Sequence, residues 1–350
     1  MPYCNTLPAG KEKETEFMNL KNYIVTDAKF WKGRIDDLDD IDSYRMHQII
    51  KLFNLKDLKT LKIDSSKLNI CFLAYCCDEG IKRNLGRTGA KHGPEDIRNE
   101  FANLPVSFGD KTLIYDAGNL FCVEGNMEEA QEQLGIAIEK ILGNRLFPIV
   151  LGGSHELAYG HFNGIVNHFK KQTKDSSKIG IINFDAHFDL RPYDNQGSSG
   201  TMFSQIADKC LKENQKFDYL CLGIQTSANT KSLFNKANSL GVKYILAKEF
   251  IESNHDSIST KIKYFINDHD YIYLTLCSDV FNSAFAPGVS SLQPFGLNPE
   301  LSLIFIKEIL KSQKVISFDI AEVSPRFDHD KRTAKLAAII IYAVINSLSE

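Results

Sequence analysis

Eight short runs of β-favouring apolar residues recur along the chain, and most of them are continuous rather than alternating. They are "LNICFLAY" (68–75), "KTLIYDAG" (111–118), "FPIVLGG" (147–153), "KIGIINFD" (178–185), "DYLCLGI" (218–224), "VKYILA" (242–247), "YIYLTLCSD" (271–279) and "KVISFDIAEV" (314–323). A strand with one wet face alternates polar and apolar residues. A strand that is apolar throughout must be covered on both faces, as in a parallel sheet. The segments between them, such as "NMEEAQEQLGIAIEKILG" and "NPELSLIFIKEILKS", have helical periodicity and a charged face. This alternation predicts a three-layer α/β/α domain over residues 68–350, built on an eight-stranded, mainly parallel sheet. Residues 1–67 contain no such unit and are expected to form a helical N-terminal extension packed on that domain. With 350 residues, 43% of them hydrophobic, the chain can bury a large core.

Charge narrows the choice of partner. Forty-one basic residues against 44 acidic ones leave a formal charge of −3, so nothing favours a nucleic acid or an anionic membrane. The eight cysteines form no C-x-x-C pair and read as reduced thiols of a cytoplasmic protein. "MPYCNTLPAGKEKETE" has no apolar signal core. "AAIIIYAVI", the longest apolar stretch, is too short for a bilayer and reads as a buried helix. The expected partner is a small molecule, and a homo-oligomer is left open.

Polar clusters follow four of the apolar runs: "GGSHE", "DAHFD", "CSDVF" and "AEVSP". Ligands of open parallel sheets bind beyond the carboxyl ends of the strands, so four clusters at four such ends point to one site. Asp185, His187 and Asp189 are spaced by two and would share a face of a strand. A fully extended run would spread them over about 13 Å. Either the chain curls after Asp185 or these residues serve two adjacent ions. Imidazole with carboxylates suits a first-row divalent ion, and a carboxylate-rich set leans towards Mn²⁺ over Zn²⁺. His155, after Gly152 and Gly153, is a natural further ligand, and Asp279 completes the set. Taken singly, each of these could be a strand-end cap or a structural histidine. No Ser/His/Asp or Cys/His triad can be assembled from these motifs.

"GGSHE", "NFDAHFD", "SDVFNSAFAPGVS", "FDIAEVSP" and "RTAKLAA" together resemble the arginase, agmatinase and formimidoylglutamase superfamily, the ureohydrolases. "WKGRIDD", "RMHQ" and "IKRNLGRTGAKHGPEDIR" resemble the formimidoylglutamase branch. The resemblance implies an arginase-like fold and two Mn²⁺ ions per chain. His155 and Asp189 would bind one ion, His187 and Asp279 the other, and Asp185 both. It further implies that Asp279 orients the attacking hydroxide and carries a proton to the leaving amine. Glu322 would pair with the C–N group of the substrate, since a carboxylate accepts two hydrogen bonds from a planar amidinium.

Arg191, Arg83 and Arg87 would suit the carboxylates of N-formimidoyl-L-glutamate, with Ser199 in the segment where agmatinase-like sequences carry a histidine. The expected reaction is hydrolysis of that amidine to L-glutamate and formamide, a step of histidine degradation. The alternatives are a hydrolase of another guanidino or amidino acid, and a pseudoenzyme with an impaired metal site. Impairment is an alternative because Cys277 stands where most ureohydrolases have a bridging Asp. It is either a neutral packed thiol, leaving one ion weakly held, or a thiolate ligand that favours Zn²⁺ or Fe²⁺.

Overall fold

The computed structural model describes residues 20–172 and 177–350; readings that fall on residues 1–19 lie outside it. Tyr23–Ile24 (β1) and Lys51–Leu52 (β2) are two-residue strands that precede the eight expected ones. Those eight are Leu68–Cys76 (β3), Thr112–Phe121 (β4), Phe147–Gly152 (β5), Ile179–Phe184 (β6), Tyr219–Ile224 (β7), Lys243–Leu246 (β8), Tyr271–Cys277 (β9) and Val315–Ala321 (β10). They form one sheet in the order β1-β4-β3-β5-β10-β9-β6-β7-β8, and β2 also pairs with β4. Neighbours from β3 to β10 are parallel, and β1 runs antiparallel to β4.

The continuous apolar runs arise because successive residues enter different cores. On β3, Ile70 and Phe72 join one layer, while Cys71, Leu73 and Tyr75 join the other. On β9, Ile272, Leu274 and Leu276 are parted from Tyr273 in the same way. The helices Gly93–Ala102, His255–Asn267, Pro299–Leu310 and Arg332–Ser349 cover the first face. Met127–Gly143, Leu157–Gln172, Met202–Lys212 and Lys231–Ser239 cover the second. The run "AAIIIYAVI" lies in the last helix, where Ala337, Ile341, Val344 and Ile345 are buried. No helix of the described residues is long and apolar enough to cross a membrane.

The described part of the N-terminal segment, residues 20–67, is less helical than the sequence reading expects. It holds one four-residue α-helix, Met46–Ile49, and three short 3-10 helices. Its acidic tract "DDLDD" (36–40) leaves too few apolar positions to line one helix face. Tertiary bonds hold it instead. Trp31 Nε1 donates to Asp116 Oδ2 (2.7 Å) and Thr26 Oγ1 donates to Asp116 Oδ1 (2.9 Å). Asp116 is fully buried and paired bidentately with buried Arg98, at 2.8 and 2.9 Å. Removing one partner of such a pair strands a buried charge, so Arg98→Met should cost about 3–5 kcal/mol of stability. A denaturation experiment giving less than about 1 kcal/mol would show that the segment is anchored by other contacts.

Candidate metal centre at the ends of the central strands

The four polar clusters follow β5, β10, β9 and β6, which are consecutive in the sheet. Gly153 makes this convergence feasible at β5. A Cβ there would lie 1.9 Å from the Cys77 carbonyl oxygen. The glycine is therefore required by close packing rather than by an unusual dihedral. Its N–H donates to Tyr75 O (2.7 Å) and its carbonyl accepts from Glu322 N (2.8 Å). The ends of β3, β5 and β10 are thereby tied together, with His155 two residues further on.

At β6 the backbone curls. The strand ends at Phe184, and Asp189 has φ +50°, a left-handed conformation uncommon outside glycine, asparagine and aspartate. The curl brings His155 Nδ1 to 2.9 Å from Asp185 Oδ2 and 3.3 Å from Asp189 Oδ2. His187 Nδ1 lies 3.4 Å from Asp185 Oδ1 and 3.2 Å from Asp279 Oδ2. Each oxygen of Asp185 thus faces a different imidazole. Two groups of donors result, with Asp185 in both: His155, Asp185 and Cys277, and Asp185, His187 and Asp279. Within each group the donor atoms all lie within 4.8 Å of one another. Despite the short approach, His155 Nδ1 makes no aligned hydrogen bond, and Asp279 Oδ1 also has no partner. Buried polar atoms left unpaired around a common centre fit divalent ions. These residues could hold two.

Charge is balanced within the cluster. Burial opposes charge on His155, but Asp185 and Asp189 outweigh it and hold the imidazole well above its ordinary range. His187 is likewise opposed by burial and raised by Asp279 and Asp185. Burial would raise Asp185, yet the two histidines hold it below the usual carboxylate range. Asp189 is pushed up to about 7 by burial and then by Asp185. Burial, followed by Asp185 and Asp279, pushes the Cys277 thiol up.

Glu322 is buried at φ +69°, and its Oε1 accepts from the His155 N–H (3.0 Å). Burial, and after it Asp279, raises its carboxyl well above the usual range.

The sequence reading missed the residues that support the histidines. Thr275 Oγ1 donates to Asp319 Oδ1 (2.6 Å), so it accepts from His155 Nε2 at 3.0 Å. A proton therefore sits on Nε2, and it is the Nδ1 proton, facing Asp185 and Asp189, that an ion would displace. Asp319 Oδ2 in turn accepts from Tyr273 and faces His161 Nδ1 at 2.7 Å. His187 Nε2 lies 3.4 Å from Ser291 Oγ. The available signal was a carboxylate, Asp319, inside an apolar strand run, together with Thr275 two residues before Cys277 on one strand face. β9 and β10 pair Thr275 with Asp319 directly.

Of the expected substrate-binding residues, only Arg191 is free to take an anion. Its guanidinium has no hydrogen bond or ion pair among the described residues, and it lines a cavity of about 280 Å³ with Asn84, Tyr193, Gln196 and Ser198. Arg83 also borders the cavity, but its guanidinium is held by Glu128 at 2.6 and 3.1 Å, by Glu79 and by Gly125 O. Arg87 donates to Ser290 O and Val289 O and stacks on Phe327. Ser199 is buried, its N–H on Gly80 O, and it does not line the cavity.

A sequence profile of the arginase family matches residues 68–346. The chain belongs to that family. It is 50% identical to a formimidoylglutamase of Clostridium tetani over 94% of this chain and 97% of the relative. A formimidoylglutamase of Lysinibacillus sphaericus is 41% identical over 93% of this chain and 98% of its own. Among solved structures, formimidoylglutamase from Bacillus subtilis superposes with a TM-score of 0.74 at 20% identity, over 92% of this chain and 97% of that one. Trypanosoma cruzi formiminoglutamase with Mn²⁺ gives 0.72 at 22% identity, over 85% and 98%. The arginase fold accounts for the sheet, and the donors at its central strand ends are this chain's own.

Two expectations follow for the ligands. Asp185→Ala should empty both ion positions, whereas His155→Ala should empty mainly one; two ions per chain retained in the Asp185 variant, by elemental analysis, would remove its shared role. Thr275→Val deletes the acceptor behind His155 with little change of volume. It should weaken ion affinity about 10–100-fold, and an unchanged metal titration would mean that Thr275 does not set the imidazole.

Proposed function

We propose that this chain hydrolyses N-formimidoyl-L-glutamate to L-glutamate and formamide, with two divalent ions at the strand ends. One observation carries the reading: Asp185 is shared by two donor groups, in a chain 50% identical to a formimidoylglutamase over nearly its whole length. Oxygen-rich donors favour Mn²⁺, in line with the Mn²⁺ of the Trypanosoma cruzi relative.

Bound ions would lower the pKa of a water and polarise the amidine. The protein's own groups do the rest. His155, Asp189, His187 and Asp279, with Asp185, would hold the ions. Asp279 Oδ1, buried and unpartnered, accepts the proton of the attacking water. The water oxygen bonds to the formimidoyl carbon, Asp279 returns the proton to the glutamate nitrogen as the bond from that carbon to it breaks, and the proton left on the oxygen passes to the freed amine, giving formamide and the ammonium of L-glutamate. Glu322 accepts hydrogen bonds from the amidinium N–H groups. Its raised carboxyl ionises more readily when a cation lies beside it. Arg191 binds a substrate carboxylate; Arg83, Arg87 and Ser199 shape the surrounding loops. All seven described cysteines are free, which supports a cytoplasmic setting where thiols stay reduced.

The deciding experiment measures formamide release from formimidoyl-glutamate after Mn²⁺ loading, with agmatine and arginine alongside. Turnover of either of those in its place would move the substrate assignment within the family, and no turnover by a fully loaded chain would leave a pseudoenzyme. Arg191→Ala should raise KM about ten- to a hundredfold, as expected for a lost charge-assisted hydrogen bond, with metal content intact. An unchanged KM would remove Arg191 from the substrate site.

A further inference from the structure

The two donor groups differ in one atom type. The group around His155 contains a sulfur, from Cys277, and the group around His187 does not. Cys277 ends β9, two residues beyond Thr275 on the same strand face. Thr275 holds the Nε2 side of His155, Asp185 faces its unpaired Nδ1, and Cys277 offers a donor within 4.8 Å of both residues' donor atoms. Asp189 Oδ2 adds an oxygen on that side. The first group therefore offers one nitrogen, two oxygens and one sulfur; the second offers one nitrogen and two oxygens.

We propose that Cys277 ligates the ion held by His155 and makes the centre unequal. Its sulfur-bearing position selects a softer divalent ion such as Zn²⁺ or Fe²⁺, beside a nitrogen–oxygen position that takes Mn²⁺. Thiolate favours softer ions, and carboxylate and imidazole alone do not discriminate against Mn²⁺ in the same way. A coordinating thiol is bound without its proton, which is released to solvent as the ion enters. For a zinc-like ion four protein donors would complete a tetrahedral shell, whereas a position with three would keep a place for water. The His187 ion is then the one with room for the attacking water. This inference rests on the two-ion reading above and adds an identity and a division of labour to it.

Cobalt(II) is the probe, added without air to the metal-free full chain. Coordination by Cys277 gives a sulfur-to-cobalt charge-transfer absorption in the wild type that is lost in Cys277→Ser. Circular dichroism establishes that the variant is folded; Cys277→Ala serves if the serine variant does not fold. Competition dialysis with Zn²⁺ and Mn²⁺ should find one of each in the wild type. In Cys277→Asp the zinc preference should fall by more than about tenfold, the lower end of what even outer partners of a ligand cost, with two Mn²⁺ taken up. A wild type with no such absorption, an absorption that persists in Cys277→Ser, or two equal Mn²⁺ ions in the wild type would overturn the proposal. Turnover of formimidoyl-glutamate is measured separately. The absorption without turnover contradicts the hydrolase reading alone, and turnover without the absorption contradicts the role of Cys277 alone.

Discussion

Asp185 carries a carboxylate with no exposure to solvent, at the end of a strand in the middle of a ten-stranded sheet. A charge taken so far from water is costly unless it is paired and hydrogen-bonded. The surrounding side chains meet that demand. The His187 backbone N–H donates to Oδ1 at 2.8 Å, Asn183 Nδ2 donates to Oδ2 at 3.2 Å, and each oxygen faces one imidazole. The turn after β6, the glycine entry at β5 and the loop after β9 all serve to deliver those groups.

Rigid elements fix the donors from behind. Thr275 and Asp319 are register partners on adjacent central strands, so the chain from His155 through Thr275 to Asp319 spans the stiffest part of the sheet. Tyr273 and His161 close it from the side of the second helical layer. Two residues of the site, Asp189 and Glu322, are held at positive φ, at about 1–3 kcal/mol each for such sparsely populated conformations. Strain of this kind persists where packing over-determines the backbone, as it does where Gly153 is wedged against Cys77. The price of the curl at Asp189 is what lets residues spaced along a former strand meet at one place.

The contrast among the arginines shows where sequence reading stops. Arg83, Arg87 and Arg191 look alike as cations near Gly-rich turns. Arg83 is neutralised by Glu128, 45 residues away, and the donors of Arg87 are taken up by carbonyls 202 and 203 residues away. Only the fold says which cation is free. The same holds for Thr275, an ordinary strand residue until Asp319 is placed beside it.

The sequence by itself determined the layered architecture. Continuous apolar runs require cover on both faces, and the amphipathic segments between them supply it. It also named the polar side chains that the fold gathers, because His155, Asp185, His187, Asp189, Cys277 and Asp279 all occur where apolar runs end. Local patterning carries that much because burial and backbone period act over a few residues. Tertiary structure alone decided that β5, β10, β9 and β6 are neighbours, that Asp189 turns back at φ +50°, and that Cys277 falls with His155 rather than with His187. Those outcomes depend on strand order and on contacts between residues far apart in the chain, and no local pattern encodes them.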